Sequence, residues 1–231
     1  MLILGLQKTT LLDYPGKVAT TLFTGGCNFR CPYCHNKDLV VNPSQMDAFS
    51  IDDIMDHLRN KRKVLDCVCI TGGEPTLQPD LYDFIVQIKE LGLLVKLDTN
   101  GTNPDILGRL ISNGLLDYVA MDIKHSRERY NDVACQTHFD LAAIDASTKL
   151  ILNSQIDYEF RTTCIKELHS SEDFHSIGEW LNDAKAYFLQ CYRESENVIN
   201  PIFSAPTRAD LEAFQDICKL YIPNTQIRGV D

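Results

Sequence analysis

Three cysteines, Cys27, Cys31 and Cys34, lie within eight residues in the spacing C-x3-C-x2-C. They fall on a short loop after a strand predicted over residues 18–23. Three thiolates on one loop can bind three irons of a cubane iron–sulfur cluster, which normally has four cysteine ligands. Because no fourth cysteine lies nearby in the sequence, one iron would stay open to a small molecule. The spacing predicts an iron–sulfur site that does chemistry rather than simple electron storage.

Two other metal sites compete for the same residues. With His35, the three cysteines would form a Cys3His zinc site, although structural zinc ligands usually come in two separated pairs. The run from Cys31 to His35 also matches the C-x2-C-H pattern of covalent haem attachment. That pattern requires an exported protein and leaves Cys27 unexplained. We therefore favour the iron–sulfur interpretation over both.

The composition is that of a globular protein. The chain has 231 residues, of which 44% are hydrophobic, and a formal net charge of −10. Such an acidic chain is a poor match for nucleic acid or an anionic membrane as its main partner. No segment approaches the roughly 20 apolar residues of a membrane span, and the N-terminus lacks the features of a secretory signal. We expect a cytoplasmic protein without a membrane or nucleic-acid partner.

The remaining six cysteines form no second cluster motif. Disulfides rarely persist in a reducing cytosol, and isolated cysteines are mostly small buried hydrophobic residues. This interpretation covers Cys67, Cys69, Cys135, Cys164, Cys191 and Cys218.

Apolar runs alternate with helical patterns along the chain. Six strands, each followed by a helix, indicate an α/β fold with a parallel sheet and right-handed crossovers. Either an open doubly wound sheet or a partial barrel of six βα units satisfies this pattern. The strands are predicted at 18–23, 67–71, 93–97, 118–123, 158–163 and 186–192, and the helices at 51–62, 80–91, 105–113, 141–152, 171–184 and 208–220.

No repeat, charge block or low-complexity segment indicates a second compact domain. Residues 1–16 are predicted to be an N-terminal extension that packs on the barrel, and residues 17–200 the core domain. Residues 201–231 are predicted to be a C-terminal linker and helix packed on the barrel.

Charged residues occupy three successive predicted strands. Residues i and i+2 of a strand share a face, and buried parallel strands usually read as continuous apolar runs. Charges at these positions therefore favour a polar mouth at one end of a barrel. The alternative is a set of structural ion pairs, such as Lys96 with Glu159. The charged residues that share a face are Lys96 with Asp98, Asp122 with Lys124, and Glu159 with Arg161.

Distinctive segments follow the ends of the first four predicted strands. They are the cysteine loop, Thr-Gly-Gly-Glu-Pro at 71–75, Asp-Thr-Asn-Gly at 98–101 and Asp-Ile-Lys at 122–124. In βα barrels the loops at the carboxyl ends of the strands build the active site. Gly72 and Gly73 lack a Cβ, so backbone groups there can approach a ligand closely. All four segments are expected at one site.

These segments together resemble the radical S-adenosylmethionine superfamily. The resemblance rests on the cysteine triad with aromatic Tyr33 before its last cysteine, and on Gly-Gly-Glu-Pro at 72–75. It implies a partial (β/α)6 TIM-like barrel with a C-terminal helix. It also implies a 4Fe–4S cluster on Cys27, Cys31 and Cys34, with S-adenosylmethionine bound to the open iron.

The segments at 98–101 and 122–124 further resemble the glycyl-radical-enzyme activating proteins. Leu-Leu-Asp-Tyr-Pro-Gly-Lys at 11–17, residues 159–163 and residues 188–190 are similar to the anaerobic ribonucleoside-triphosphate reductase activating proteins. The resemblance implies a 5′-deoxyadenosyl radical that takes hydrogen from a glycine of this reductase, with reduced flavodoxin or ferredoxin as electron donor. A radical enzyme acting on a small molecule in nucleoside or cofactor biosynthesis is an alternative. A non-catalytic iron–sulfur or zinc module is another.

The resemblance also assigns ligand contacts. Gly72, Gly73 and Glu74 would receive the amino group of S-adenosylmethionine, with backbone carbonyls as natural acceptors for an ammonium. Lys124 would face its carboxylate as a point charge.

On the nucleoside side, the resemblance places Tyr33 and His35 beside the adenine and Gln190 near the ribose. Two roles are open for Arg161: it binds substrate or S-adenosylmethionine, or it pairs with Glu159.

Asp98, Thr99 and Asp122 resemble a site for a monovalent cation near the ligand. For Asp98 and Asn100, helix capping and turn formation are the alternative.

Overall fold

The computed structural model describes residues 1–134 and 140–230. Within them, eight strands form one sheet whose strands follow one another in sequence order. Strand β1 runs antiparallel to β2, and all later neighbours are parallel. The strands are β1 (Ile3–Thr10), β2 (Ala19–Thr24), β3 (Cys67–Gly72), β4 (Leu94–Thr99), β5 (Tyr118–Asp122), β6 (Asp157–Cys164), β7 (Tyr187–Cys191) and β8 (Thr225–Arg228).

Helices connect the parallel strands. Two of them, α1 and α5, are only five residues long, and the others are longer amphipathic crossovers. The α-helices of the described residues are α1 (Lys37–Val41), α2 (Ile51–Lys61), α3 (Leu81–Glu90), α4 (Pro104–Ser112), α5 (Tyr130–Ala134), α6 (Leu141–Leu152), α7 (Ser171–Trp180) and α8 (Arg208–Lys219). None of these helices has the length and apolar character that a membrane span requires.

The strand order decides between the two predicted architectures. In a doubly wound sheet the chain reverses direction across the sheet, so sequence order is broken at the middle. Here the order is sequential from β1 to β8, which is the winding of a barrel. No pairing joins β8 to β1 within the described residues, so the barrel is partial. The partial barrel predicted from the sequence is therefore confirmed.

Local signals explain where the helices begin and end. Ser50 accepts a hydrogen bond from the Asp53 amide at the start of α2, and Ser170 with Asp173 forms a capping box at the start of α7. Each supplies an acceptor to an otherwise unpaired amide of the first turn. Gly92 and Gly114 adopt positive φ values of 79° and 65° after α3 and α4, where a residue without Cβ stops a helix at low cost.

Side-chain alternation divides the apolar residues between two faces of the sheet. Val68 and Ile70 of β3 belong to the large core between sheet and helices. Cys67 and Cys69 of the same strand point to the barrel interior, in a small cluster with Tyr14. The N-terminal end of the barrel is thus filled by apolar side chains, and the charged residues lie above them.

The cysteine prediction is confirmed for most of its members. Cys67, Cys69, Cys164 and Cys218 are buried free thiols, and Cys191 is half-buried. Cys135 lies outside the described residues.

Two strands extend the six that the sequence predicts. Residues 3–10, within the predicted N-terminal extension, form the edge strand β1 of the same sheet. Residues 225–228, beyond the last predicted helix, form β8 at the other edge.

Helix α8 packs against α7, where the rings of Phe174 and Phe214 stack with centroids 4.3 Å apart. The division into extension, core and C-terminal linker stays a prediction.

Candidate functional site

A cavity of about 260 Å³ lies at the carboxyl ends of the central strands. It is lined by the cysteine loop after β2, by the segments that follow β3, β4 and β5, and by residues of β6 and β7. Every residue predicted for the site lines this cavity: Cys27, Cys31, Tyr33, Cys34, His35, Gly72, Gly73, Glu74, Asp98, Thr99, Asp122, Lys124 and Gln190.

The cysteine loop is fixed by hydrogen bonds to the segment after β4. Asn100 Nδ2 donates to Asn28 Oδ1 at 2.9 Å and lies 3.9 Å from Cys27 Sγ. The Phe29 amide also donates to Cys27 Sγ, at 3.3 Å. Burial raises the pKa of Cys27 to about 11, so without a metal this sulfur is a neutral thiol. The donors around it suit a sulfur that carries negative charge as a cluster ligand.

Gly72 and Gly73 hold two loops against each other. Gly72 has a φ of 114°, and a Cβ at this position would lie 2.4 Å from the Thr24 amide nitrogen. A Cβ on Gly73 would lie 1.9 Å from the Gly26 carbonyl oxygen. The glycines are therefore required for close packing of the β3 end on the β2 end, in addition to any contact with a ligand.

The Glu74 carboxylate joins two of the predicted segments. It is buried, and Oε1 accepts from the Thr76 amide, the Thr76 hydroxyl and the Thr99 hydroxyl at 2.6–3.1 Å. Oε2 accepts from the Asn100 amide at 2.6 Å. Burial raises the pKa of Glu74, while these four donors favour the charged form. With its carboxylate occupied, Glu74 can offer a ligand its backbone carbonyl, which accepts from the Leu77 amide at 3.2 Å and has a second lone pair.

A chain of alternating charges borders the cavity, and all of its members except Lys96 line it. Lys96 Nζ lies 2.6 Å from Asp98 Oδ1, and Arg161 Nη1 lies 3.1 Å from Asp98 Oδ2. Arg161 Nε lies 2.8 Å from Asp122 Oδ1, and Lys124 Nζ lies 2.9 Å from Asp122 Oδ2. We call these five residues the charge network. Its three cations exceed its two carboxylates by one positive charge.

Proximity to opposite charges keeps the network ionised. Burial alone would raise the pKa values of Asp98 and Asp122, but Arg161 and the neighbouring lysines lower both. Burial alone would lower the pKa of Lys124, yet the Asp122 carboxylate and other nearby groups raise it well above its ordinary value. Against the effect of burial, nearby carboxylates likewise raise the pKa of Arg161, so Arg161 and Lys124 stay charged at physiological pH, and Lys124 on the cavity wall suits an anionic ligand group.

The ion pairs differ from the one named in the sequence analysis. Lys96 pairs with Asp98 rather than with Glu159. Glu159 instead binds Arg228 of β8, with two N–O distances of 2.9 Å. Arg161 pairs mainly with the two aspartates, and its Nη1 lies 4.0 Å from Glu159 Oε1. The charges at the strand ends thus pair with each other, and four of them, Asp98, Asp122, Lys124 and Arg161, also line the cavity.

The geometry gives no support to a monovalent cation at Asp98, Thr99 and Asp122. Each aspartate already has two cationic partners, and the Thr99 hydroxyl donates to Glu74. In the described ranges, no three or more His, Cys, Asp or Glu side chains are grouped closely enough to hold a single metal ion; a cubane cluster, which binds each cysteine through a different iron, does not require such a group. The cation site stays a prediction. Asn100 Oδ1 accepts from the Thr102 amide at 3.0 Å, which is the turn contact named as its alternative.

An aromatic wall borders the cavity beside the cysteine loop. Tyr33 is buried, its ring lies edge-on to Tyr192, and neither hydroxyl has a hydrogen-bond partner in the described structure. A buried hydroxyl without a partner is uncommon and indicates a missing water or ligand. His35 Nε2 lies 2.8 Å from the Arg193 carbonyl. It must carry a proton there, so this nitrogen is not free to bind the zinc of the Cys3His alternative.

Two neutral histidines support Lys124 from behind. His169 Nε2 donates to the Lys124 carbonyl at 3.1 Å, and its ring stacks on His125 with centroids 4.9 Å apart. His125 Nε2 donates to the Leu168 carbonyl at 2.9 Å. Burial lowers the pKa of His169 to about 4. The pair fixes the backbone of the residue predicted to face the ligand carboxylate.

Several contributing residues were not predicted. Asn36 donates to the Gly72 carbonyl at 2.6 Å, and its position directly after the cysteine loop was the available signal. Arg228 and Tyr192 act across long sequence separations, and no local motif marks them.

Comparison with protein families identifies one matching family. A family model described as the Radical SAM superfamily matches residues 21–171. The matched range contains the cysteine loop, the glycines and the charge network, and it ends before Gln190 and Arg228.

Two named relatives resemble most of the chain. A Methanocaldococcus jannaschii protein, MJ1227, provisionally named a glycyl-radical enzyme activating enzyme, is 34% identical over all of this chain and 97% of its own length. The pyruvate formate-lyase-activating enzyme of Clostridium pasteurianum is 27% identical over 73% of this chain and 70% of its own.

The fold also resembles solved structures. Streptococcus suis SuiB bound to S-adenosylmethionine matches 90% of this chain with a TM-score of 0.71 and 16% identity. The structure described as native anSMEcpe with bound AdoMet matches 89% with a TM-score of 0.63 and 16% identity. This chain spans about half the length of SuiB, 52%, and 62% of anSMEcpe. At these identities the likeness concerns the fold.

Proposed function

Because the chain belongs to the radical SAM superfamily, and within it to the family of glycyl-radical-enzyme activating enzymes, we propose that it activates an anaerobic ribonucleoside-triphosphate reductase. The activation is the removal of a hydrogen atom from a glycine of the reductase, which leaves a glycyl radical. The observation that carries the proposal is that one cavity is lined by Cys27, Cys31 and Cys34 together with four members of the charge network, Lys124 among them.

The donor set fits the cofactors that this activity needs. Cys27, Cys31 and Cys34 would hold a 4Fe–4S cluster, since all three lie on one loop, form no disulfide and line the same cavity. Lys124 would face the carboxylate of S-adenosylmethionine, and the unpartnered hydroxyl of Tyr33 offers a polar contact. When bound, the reduced cluster and S-adenosylmethionine supply a 5′-deoxyadenosyl radical.

The protein's own residues orient and protect this chemistry. The Gly73 carbonyl and the Glu74 carbonyl are acceptors for the ligand's amino group, on a loop that is held rigid by the contacts of Gly72 and the Glu74 carboxylate. The charge network stays ionised and compensates an anionic ligand. The apolar cluster around Tyr14 closes the other end of the barrel interior, which limits entry of water from that side.

The partner assignment rests on sequence segments. Residues 11–17, 159–163 and 188–190 are similar to the reductase activating proteins. The Methanocaldococcus jannaschii relative, alike over its whole length, is named for activating glycyl-radical enzymes in general. Reduced flavodoxin or ferredoxin is the class of donor that would deliver the electron. A cytoplasmic location suits both partners.

The proposal is tested in two steps. Anaerobically reconstituted protein, reduced with dithionite and given S-adenosylmethionine, should form 5′-deoxyadenosine, and a variant lacking the three cysteines should not. Incubation with a candidate reductase should then produce a glycyl doublet in electron paramagnetic resonance. Absence of 5′-deoxyadenosine would refute the radical chemistry. Formation of 5′-deoxyadenosine without a doublet on a verified reductase would refute the partner.

A further inference from the structure

We infer that Arg228, in the C-terminal strand β8, is a positioning residue that keeps Arg161 on the charge network. Arg228 is the bidentate partner of Glu159, with both N–O distances at 2.9 Å. Its guanidinium also lies over the Phe188 ring, 3.3 Å from the centroid. These two contacts hold the Arg228 guanidinium in place at the barrel interior.

Glu159 requires a strong cationic partner at this position. Its side chain is only 2% exposed, and a buried carboxylate without a partner is strongly destabilising. The Tyr118 hydroxyl donates to Glu159 Oε2 at 3.0 Å but carries no charge. Arg228 therefore supplies the compensation.

Arg161 is placed to respond if Arg228 is lost. Its Nη1 lies 4.0 Å from Glu159 Oε1 and 3.1 Å from Asp98 Oδ2. A small movement would exchange one carboxylate for the other. With Arg228 present, Glu159 is satisfied and Arg161 stays with Asp98 and Asp122. Without Arg228, the unpaired Glu159 draws Arg161 Nη1 away from Asp98.

This exchange of partners would change the charge distribution at the first cavity, where the ligand is expected. A second cavity of about 220 Å³ is lined by Arg228 and Glu159, and it shares Asp98, Arg161 and Gln190 with the first. Once Glu159 shares Arg161, three cations face three carboxylates, and the surplus positive charge of the network is cancelled. Arg161 would then compensate less of the Asp122 charge, so Lys124 would compensate more of it and less of the Lys124 charge would face an anionic ligand.

The inference rests on the proposed function only in assigning S-adenosylmethionine to the first cavity. Calorimetric titration of the reconstituted wild type with S-adenosylmethionine gives the reference affinity. We expect R228Q to bind about tenfold more weakly, which corresponds to about 1.4 kcal/mol. The double variant E159Q/R228Q should return to within about threefold of the wild type, because the neutral amide no longer attracts Arg161.

A matched control removes a guanidinium elsewhere. Arg208 forms an exposed pair with Glu212 at 2.9 Å, and R208Q should leave the affinity unchanged. Rescue by E159Q is expected both for a misplaced Arg161 and for a merely destabilised protein, because the neutral amide also removes the unpaired buried charge; the position of Arg161 in the variant structures separates the two. An R228Q affinity equal to the wild type, or a double variant no better than R228Q, would overturn the inference.

Crystal structures of the variants show the position of Arg161 directly and need no bound cofactor. In R228Q, Arg161 Nη1 should lie closer to Glu159 than the present 4.0 Å, and in E159Q/R228Q it should stay on Asp98. An unmoved Arg161 in R228Q would overturn the inference. If R228Q does not fold, R228K replaces it, with a smaller loss of affinity that E159Q again removes. A wild type that fails to bind S-adenosylmethionine would count against the proposed function alone, and the crystal structures would still decide the role of Arg228.

Discussion

At the scale of single residues, several polar side chains of the site already make hydrogen bonds within the protein and hold its loops in place. Glu74 uses its whole carboxylate to join two loops, and Asn36 occupies the Gly72 carbonyl. A sequence motif locates such residues but does not show whether they bind a ligand or hold the fold together. Variants that replace a single atom, such as Glu to Gln, distinguish the two roles.

Replacing Glu74 by glutamine should destabilise the fold. The amide presents an N–H group where four donors now point at oxygen, so at least one buried donor loses its acceptor. We expect a decrease of about 2 kcal/mol in the free energy of unfolding, measured by urea denaturation, and less iron after reconstitution. The exposed residue Glu90 gives the control E90Q. An E74Q protein as stable as E90Q would show that the four contacts are not important.

His169 should make stability depend on pH in a defined range. The pKa of His169 is lowered to about 4 in the folded protein from the ordinary 6.5. Below pH 6.5 the unfolded chain binds a proton that the folded chain does not. This contribution to stability is therefore complete above pH 6.5 and decreases as the pH falls toward 4.

The variant H169N should lack this dependence. Between pH 7 and pH 5 the wild type should lose about 2 kcal/mol more than H169N in the free energy of unfolding. Urea denaturation at both pH values measures the difference. His175 is exposed, and H175N should behave as the wild type. Equal losses in the wild type and H169N would contradict the prediction.

At the scale of elements, the strands and helices that the sequence predicts are those marked by neighbouring residues. The apolar runs of β2 to β7 and the caps of α2 and α7 depend on neighbouring residues, and they were found. Strands β1 and β8 lie at the sheet edges. The four residues of β8, Thr-Gln-Ile-Arg, contain no apolar run, whereas β1 begins with the apolar Ile-Leu-Gly-Leu and continues with exposed polar residues. Helices α1 and α5 are too short to show a helical period.

The glycines offer a paired test at this scale. In G73A the new Cβ would meet the Gly26 carbonyl oxygen at 1.9 Å, so the ends of β2 and β3 must separate. We expect a loss of about 3 kcal/mol in stability and a loss of cluster binding. In G108A, within α4, the Cβ would meet Leu150 at an ordinary 3.5 Å. That variant should gain about 0.5–1 kcal/mol.

Thermal and urea unfolding of both glycine variants measure the two effects. Opposite signs are the expected result. A G73A protein with wild-type stability would mean that the strand ends tolerate separation, and the role given to Gly73 in packing would be wrong.

At the scale of the whole molecule, the site is assembled from distant parts of the chain. Cys27, Lys124 and Gln190 come from three different βα units and meet because the strands are parallel and in sequence order. The alternation of strands and helices, together with the parallel strand order, predicts that these residues lie close together. The pairing of Glu159 with Arg228, 69 residues apart, is set by the register of β6, β7 and β8. No property of the two residues alone indicates it.

Ligand binding should stabilise the whole fold. A ligand that binds only the folded state at 100 times its Kd adds about 2.7 kcal/mol to the free energy of unfolding. Reconstituted wild type should show this gain with S-adenosylmethionine in anaerobic denaturation. The variant C34S, which lacks one proposed cluster ligand, should show a much smaller one. Equal gains would mean that the ligand binds independently of the cysteine loop.

The unjoined edges of the sheet have a mechanical consequence. In a closed barrel, strand number and stagger fix the radius, so the interior can admit a macromolecule only through its ends. Here β1 and β8 are not hydrogen-bonded to each other in the described chain. The two edges can spread by a change in sheet twist, without breaking a hydrogen bond between strands. Elasticity of the sheet, rather than the opening of a lid, would then set how wide a polypeptide segment can enter.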